Sequence, residues 1–138
     1  MKGVLKDMIE IYEPNGVDWM GFQLVRNNPY TFHHIKEKCN RGNYDVGNGA
    51  ILTKNAHRLL NILKKDYPDA YNDYQTLFKK INACKCPISD DLWEDIYGML
   101  LDLFYYQDYG DTTQLEIEKF GKPKGHYKDK KQHYINRR

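Results

Sequence analysis

The sequence has few cysteines and no long apolar run. Its three cysteines are an odd number without a Cys-x-x-Cys pair, so we expect neither a disulfide framework nor a zinc ribbon. No charged start is followed by the apolar stretch of a secretory signal, and no apolar run approaches membrane-spanning length. Cysteine use of this kind is typical of a reducing compartment. We therefore expect a cytoplasmic protein that has no membrane partner.

Excess charge is also lacking, since the formal net charge is only +2 over 138 residues. Overall charge therefore does not predict a nucleic-acid binder, but basic residues are concentrated in a C-terminal tail, 121–138. Such a tail is either an electrostatic contact for a polyanion or a solvated terminus, and the sequence leaves both open. The tail residues expected to contact nucleic acid are Lys122, Lys124, Lys128, Lys130, Lys131, Arg137 and Arg138.

The chain is predicted to fold as one α+β domain over residues 1–120, since its length suffices for one core and shows no internal repeat. Residues 30–35 are rich in β-branched and aromatic side chains and predict a strand, with a second strand at 50–52. A polar loop, 36–47, separates the two strands. Residues 19–25 are also predicted to be extended.

Helices are predicted on both sides of these strands. A short amphipathic helix over residues 1–12 precedes a Pro-Asn-Gly turn. Thr53 is a favourable N-cap for a helix over 54–65, which carries an apolar stripe. Pro68 opens the next helix at a position where its missing N–H costs nothing, and Ser89 caps the last one. The chain is therefore expected to be mostly helical around a small pair of strands.

Five polar side chains stand at positions suited to one metal and one activated water. His33 and His34 end the first predicted strand, Asn48 precedes the second, and His57 lies on the helix after it. Because side chains alternate along a strand, the adjacent histidines face opposite sides. One of them can face a metal and the helix while the other faces a substrate. Asn61 shares a helix face with His57 and can add an oxygen ligand.

These residue types match the demands of phosphodiester hydrolysis. The reaction needs a base, for which imidazole is suited near neutral pH, and an electrophile, for which a divalent cation is suited. An asparagine amide can hold an imidazole in one tautomer by a hydrogen bond. Each part of the predicted site also has an ordinary interpretation when it is considered alone. These are a strand-end histidine pair, an Asn-Gly hairpin turn and a helix-surface histidine. Their joint order and spacing favour a functional site.

At these residues the sequence resembles the HNH nuclease motif, also called the His-Me finger or ββα-metal motif. In that family a strand-end Asp-His or His-His pair leads through a loop to an Asn and then to a helical His, and the nine-residue interval between Asn48 and His57 fits this pattern. The resemblance implies that His34 is the general base and that Asn48 orients it. It also implies that His33 and His57 bind one divalent metal ion, with Asn61 as an additional ligand.

The resemblance covers residues 30–63, less than a third of the chain. It implies a ββα-metal finger over about 30–64, embedded in a mostly helical domain. Many family members brace this finger with two Cys-x-x-Cys pairs that bind zinc, whereas Thr53 and Ala56 occupy the second pair's positions here. Packing must then replace the zinc. Histidine at position 33 removes a negative charge, so Ni²⁺ or Zn²⁺ is compatible beside the expected Mg²⁺ or Mn²⁺.

The function expected from this resemblance is that of a metal-dependent endonuclease, with DNA as the expected substrate. The sequence of the motif is similar to those of small HNH proteins of phages and mobile elements. This similarity predicts that the protein is located in the cytoplasm of a bacterial or phage-infected host cell. A nicking monomer, a homodimer and a phage protein partner are all compatible. Two alternatives stay open: an inactive HNH scaffold that binds a target, such as a phage-encoded inhibitor, and a nuclease active only within a phage packaging complex.

Overall fold

A computed structural model of the protein describes residues 3–37 and 41–103. Within these ranges the fold mixes four helices with one two-stranded antiparallel sheet, as an α+β protein does. The elements are α1 (Val4–Tyr12), β1 (Tyr30–His34), β2 (Gly49–Thr53), α2 (Lys54–Asp66), α3 (Pro68–Cys84) and α4 (Asp90–Leu101). A single 3₁₀ turn at Val46–Asn48 precedes β2. The strands predicted at 30–35 and 50–52 and the four predicted helices are thus confirmed.

The register of the hairpin decides which side chains share a face. His34 pairs with Gly49 and His33 pairs with Ala50. All five residues of β2 are buried, because α1, α2 and α3 all pack on this strand. A Cβ atom on Gly49 would meet the Phe32 ring and would lie 2.5 Å from the Sδ atom of Met8. Glycine at this position therefore lets α1 pack tightly on the hairpin face that carries His34.

A buried carboxylate fixes the junction between β2 and α2. Asp18 accepts hydrogen bonds from the backbone N–H groups of Met20 (2.8 Å) and Phe22 (3.0 Å) and, at its other oxygen, from the N–H (2.8 Å) and hydroxyl (2.7 Å) of Thr53. The Thr53 hydroxyl in turn accepts from the N–H of Ala56 as the cap of α2. Burial raises the pKa of the Asp18 carboxyl, and the four hydrogen bonds offset part of that rise. The first turn of α2 is thus fixed both by the Thr53 cap and by the bonds of Thr53 to Asp18.

The same carboxylate explains why residues 19–25 do not form the predicted extended strand. This prediction was wrong in part: Trp19 and Met20 form a turn, and the rest of the segment makes isolated bridges, Val17–Gln23 and Val25–Asn28 among them, without a named strand. The buried carboxylate draws two N–H groups of the segment toward itself, which bends the chain into a turn. Backbone donors that bind a side chain in this way are not available for a sheet ladder.

The core lies between the hairpin and the helices that follow it. The apolar face of α3 is buried, and the core continues into α4. None of the helices in the described ranges is long and apolar enough to cross a membrane. The largest fully buried side chains include Trp19, Tyr12, Tyr74, Tyr97, Phe22 and Phe78.

Candidate active site

His33 lies on the hairpin face that packs on α2 and α3, with 6% of its surface exposed. Its Nε2 atom is 2.6 Å from Oε1 of Gln75. The amide nitrogen of Gln75 donates to the carbonyl of Ile35 over 2.5 Å, which turns the amide oxygen toward the imidazole. An amide oxygen only accepts, so Nε2 of His33 carries the hydrogen. The lone pair of His33 is therefore on Nδ1.

His57 is held in the opposite tautomer. Its Nδ1 atom is 3.1 Å from the hydroxyl oxygen of Thr31, and that hydroxyl donates its hydrogen to the carbonyl of Leu52 over 2.8 Å. Because the hydroxyl has one hydrogen and has already donated it, Nδ1–H of His57 is the donor to Thr31. The lone pair of His57 is therefore on Nε2.

The two imidazoles lie against each other. Their ring centroids are 5.3 Å apart and the ring planes are nearly perpendicular, at 89°. Burial lowers the pKa of His33 to about 4, against a smaller opposing effect of the Gln75 hydrogen bond. Burial also lowers the pKa of His57, with a smaller contribution from His34. Both rings are thus neutral near pH 7, the form in which an imidazole binds a metal ion.

Asn61 is the remaining predicted ligand. Asn61 is exposed on α2, one turn beyond His57, and no contact among the described residues joins it to either imidazole. Within residues 3–37 and 41–103, no three His, Cys, Asp or Glu side chains are grouped to hold a metal ion. The nearby carboxylate of Glu37 is engaged by the Lys64 ammonium at 2.5 Å and by the Tyr71 hydroxyl at 3.0 Å. Of the predicted ligands, the two imidazoles of His33 and His57 are the ones whose rings lie in contact.

His34 faces the other side of the hairpin, as the alternation of a strand predicts. It is half-buried, and its ring centroid is 4.8 Å from Phe32 and 5.8 Å from Tyr44. A charge on His34 lowers the pKa of both His33 and His57, so the three imidazoles are within electrostatic range of one another. The structure therefore brings the three predicted histidines together while giving them two different environments.

Asn48 acts on the loop that follows His34. Its side-chain oxygen accepts from the N–H of Lys36 (2.7 Å), and its amide nitrogen donates to the carbonyls of Lys36 (2.9 Å) and Asn43 (2.9 Å). The resemblance implies that Asn48 orients the base through the loop, and its side-chain bonds go to backbone groups of that loop rather than to the His34 imidazole. The reason is that the N–H of Ile35 pairs with the carbonyl of Asn48, which sets the two chain segments side by side. Asn48 thus fixes the chain that leaves His34.

Two residues that hold the buried imidazoles, Thr31 and Gln75, were not predicted from the sequence. Thr31 lies two residues before His33 and so on the same strand face, a signal that was available. Gln75 flanks the apolar face of α3 between Tyr74 and Phe78, and nothing local connects it with the hairpin. The seven basic tail residues named above lie outside the described residues.

Comparison with known proteins adds no relative. No family model, curated protein or solved structure matches the chain. The interpretation of the site therefore depends on its own geometry: two neutral imidazoles meet between the hairpin and α2, and a third stands on the opposite face beside an exposed aromatic ring.

Proposed function

We propose that the protein is a metal-dependent endonuclease of the HNH type, in which β1, β2 and α2 form the ββα-metal finger. The observation that carries the proposal is the pairing of His33 with His57, at 5.3 Å between ring centroids. Each ring has one nitrogen committed to a hydrogen bond and the other left with its lone pair. Two imidazoles that are fixed in complementary tautomers and kept neutral by burial favour a metal site over a structural pair.

The proposed occupant of this pair is a divalent metal ion. Nδ1 of His33 and Nε2 of His57 would hold it, and Asn61 is proposed to add an oxygen ligand. When bound, a divalent cation supplies electrophilic stabilisation of the negative charge that develops on the phosphate and on the leaving oxygen. Imidazole ligands without a carboxylate favour Mn²⁺, Ni²⁺ or Zn²⁺ over Mg²⁺.

The chain's own contribution to the reaction is the base and its position. His34 takes a proton from a water molecule, and the oxygen of that water attacks phosphorus in line with the 3′-oxygen. The bond from phosphorus to the 3′-oxygen breaks, the leaving 3′-oxygen takes a proton from solvent, and His34 releases its proton to solvent, so the products are a 5′-phosphate and a 3′-hydroxyl. Contacts of His34 with Phe32 and Tyr44 restrict its ring, and the Asn48 bonds fix the backbone that follows it. A positioned base of this kind contributes about 10²- to 10⁴-fold to rate.

DNA is the proposed substrate, and the basic tail is its proposed electrostatic contact. Both proposals come from the sequence, with seven cations between Lys122 and Arg138. The oligomeric state determines how many strands are cut in one event, because one site cuts one strand. A monomer is then a nicking enzyme, and cleavage of both strands requires a homodimer or two successive events.

A plasmid assay tests the proposal. Supercoiled plasmid is incubated with the protein in Mg²⁺, Mn²⁺, Ni²⁺, Zn²⁺ or EDTA, and the open circular product is measured. We expect nicking with at least one of these metals and none in EDTA. Binding of DNA without nicking in any metal would instead identify an inactive HNH scaffold. Nicking that appears only when phage packaging proteins are added would identify a nuclease that works within that complex.

A further inference from the structure

Tyr44 is the most exposed large apolar or aromatic side chain of the described ranges, with 58% of its surface accessible. Its ring nevertheless has fixed neighbours, since its centroid is 4.6 Å from that of Phe32 and 5.8 Å from that of His34. The Tyr44 and His34 planes are inclined by only 35°. More than half of the surface of an aromatic residue is thus open to solvent beside the proposed catalytic base.

Hydrogen bonds to the backbone of the two residues before Tyr44 hold this part of the loop. The carbonyl of Asn43, the preceding residue, accepts from the Asn48 amide at 2.9 Å. Nearer the start of the loop, the N–H of Gly42 donates to the carbonyl of Glu37 at 2.9 Å. A Cβ atom on Gly42 would collide with the Lys36 carbonyl, so the two arms of the loop are packed closely. An exposed ring on a braced loop is preorganised for a ligand.

The charges of the loop fit a polyanion. Lys36 and Arg41 are exposed, and the carboxylate of Glu37 is engaged by Lys64. The exposed acid among the described residues of the loop is Asp45. Exposed cations and an aromatic ring on one loop are the combination that binds single-stranded nucleic acid: cations contact the backbone, and the ring stacks on a base.

We propose that Tyr44 is a stacking platform for an unpaired nucleobase next to the scissile phosphate, so that the preferred substrate is single-stranded or locally unpaired nucleic acid. The inference rests on the proposed function, because the assignment of His34 as the base places a phosphate beside Tyr44. A base in a continuous duplex is stacked on its neighbours and offers no free face to the ring. A nucleotide with its phosphate at His34 and its base unpaired does offer that face.

Binding without cleavage tests this inference. A fluorescein-labelled oligothymidylate of about ten nucleotides, within the usual site size of a single-strand binding module, is titrated in EDTA with the parent protein, Tyr44→Ala and Tyr44→Phe. A labelled duplex of the same length is titrated in parallel. Tyr44→Ala should bind the single strand roughly 5- to 150-fold more weakly, the loss of one stacked base. Tyr44→Phe keeps the ring and should bind as the parent does. Leu24→Ala, which truncates another exposed apolar side chain, should also leave affinity unchanged.

Three results would overturn the inference: equal affinity of Tyr44→Ala and the parent, tighter binding of the duplex than of the single strand, or no binding of either by the parent. Failure of the nuclease proposal would give a different pattern of results. If no metal supports nicking but Tyr44→Ala still loses affinity, the platform stands and the catalytic assignment falls. If the parent nicks plasmid and Tyr44→Ala binds and nicks equally well, the platform falls and the nuclease stands.

Discussion

Gln75 on α3 and His33 on β1 are joined by a hydrogen bond of 2.6 Å between the amide oxygen and the imidazole Nε2. The other end of the same amide is bound to the backbone at Ile35. One side chain therefore fixes both the tautomer of His33 and the position of α3 against the end of β1. In the proposed HNH finger, α3 therefore supplies a brace of the kind that zinc-binding cysteines provide in many HNH proteins.

Loss of this hydrogen bond should weaken metal binding. Gln75→Ala frees Nε2 of His33, so the ring can rotate and exchange tautomers. We expect affinity for Mn²⁺ or Ni²⁺ to fall roughly 10- to 100-fold, as it does when an outer-shell partner of a ligand is removed. Isothermal titration calorimetry measures the effect directly. Thr76→Ala on the exposed side of the same helix is the matched control, and equal affinity of the two variants would show that Gln75 does not position a ligand.

The buried imidazole of His33 should make the protein sensitive to mild acid. Its pKa is about 4 in the folded protein against an ordinary value of 6.5, so between these values the unfolded chain binds the proton more readily. Stability is then fully present above about pH 6.5 and is lost as pH falls toward 4, by about 3 kcal/mol in total.

Urea unfolding at about pH 7.5 and about pH 4.5 with the parent and His33→Gln measures this contribution. The other titrating groups, His57 among them, are common to both proteins, so the difference in pH dependence isolates His33. We expect the parent to lose more stability than His33→Gln on acidification. Equal losses would mean that His33 is not buried in the neutral form.

Gly49→Ala should disturb the packing beneath His34. The added Cβ would meet the Phe32 ring and the sulfur of Met8, which are both on the His34 face of the hairpin. We expect a loss of about 1–3 kcal/mol in the free energy of unfolding, the usual cost of overpacking. Gly47→Ala is the control, because its Cβ would have ordinary contact with Asp45 at 3.4 Å. Chemical denaturation of the two variants compares them, and equal stability would contradict the packing described for Gly49.

Local patterns were enough to predict most of the fold. Thr53 and Ser89 cap the helices they were predicted to cap, each accepting a hydrogen bond from a backbone N–H three residues on. Alternation along β1 correctly separated His33 from His34. These features depend on neighbours within one turn or one strand pair, and such neighbours can be read directly from a sequence.

What the sequence did not reveal depends on contacts between distant residues. Asp18 accepts hydrogen bonds from Thr53, which is 35 residues away in the sequence. Gln75 is hydrogen-bonded to His33, which is 42 residues away. No sequence periodicity links such partners. A polar residue can be either solvated or bonded to a buried group, and the sequence around it does not distinguish the two. The chain around Asp18 was for this reason predicted to be extended, although its N–H groups bind the carboxylate instead.

The central claim is that His34 is the general base beside an imidazole metal pair, and one rate ratio tests it most directly. Nicking of supercoiled plasmid is measured for the parent and for His34→Ala at a saturating concentration of the metal that best supports the parent. Calorimetry is first used to establish that both proteins bind that metal equally. We predict that His34→Ala nicks about 10²- to 10⁴-fold more slowly, with metal affinity unchanged. Nicking at the parent rate by a folded, metal-loaded His34→Ala would contradict the account.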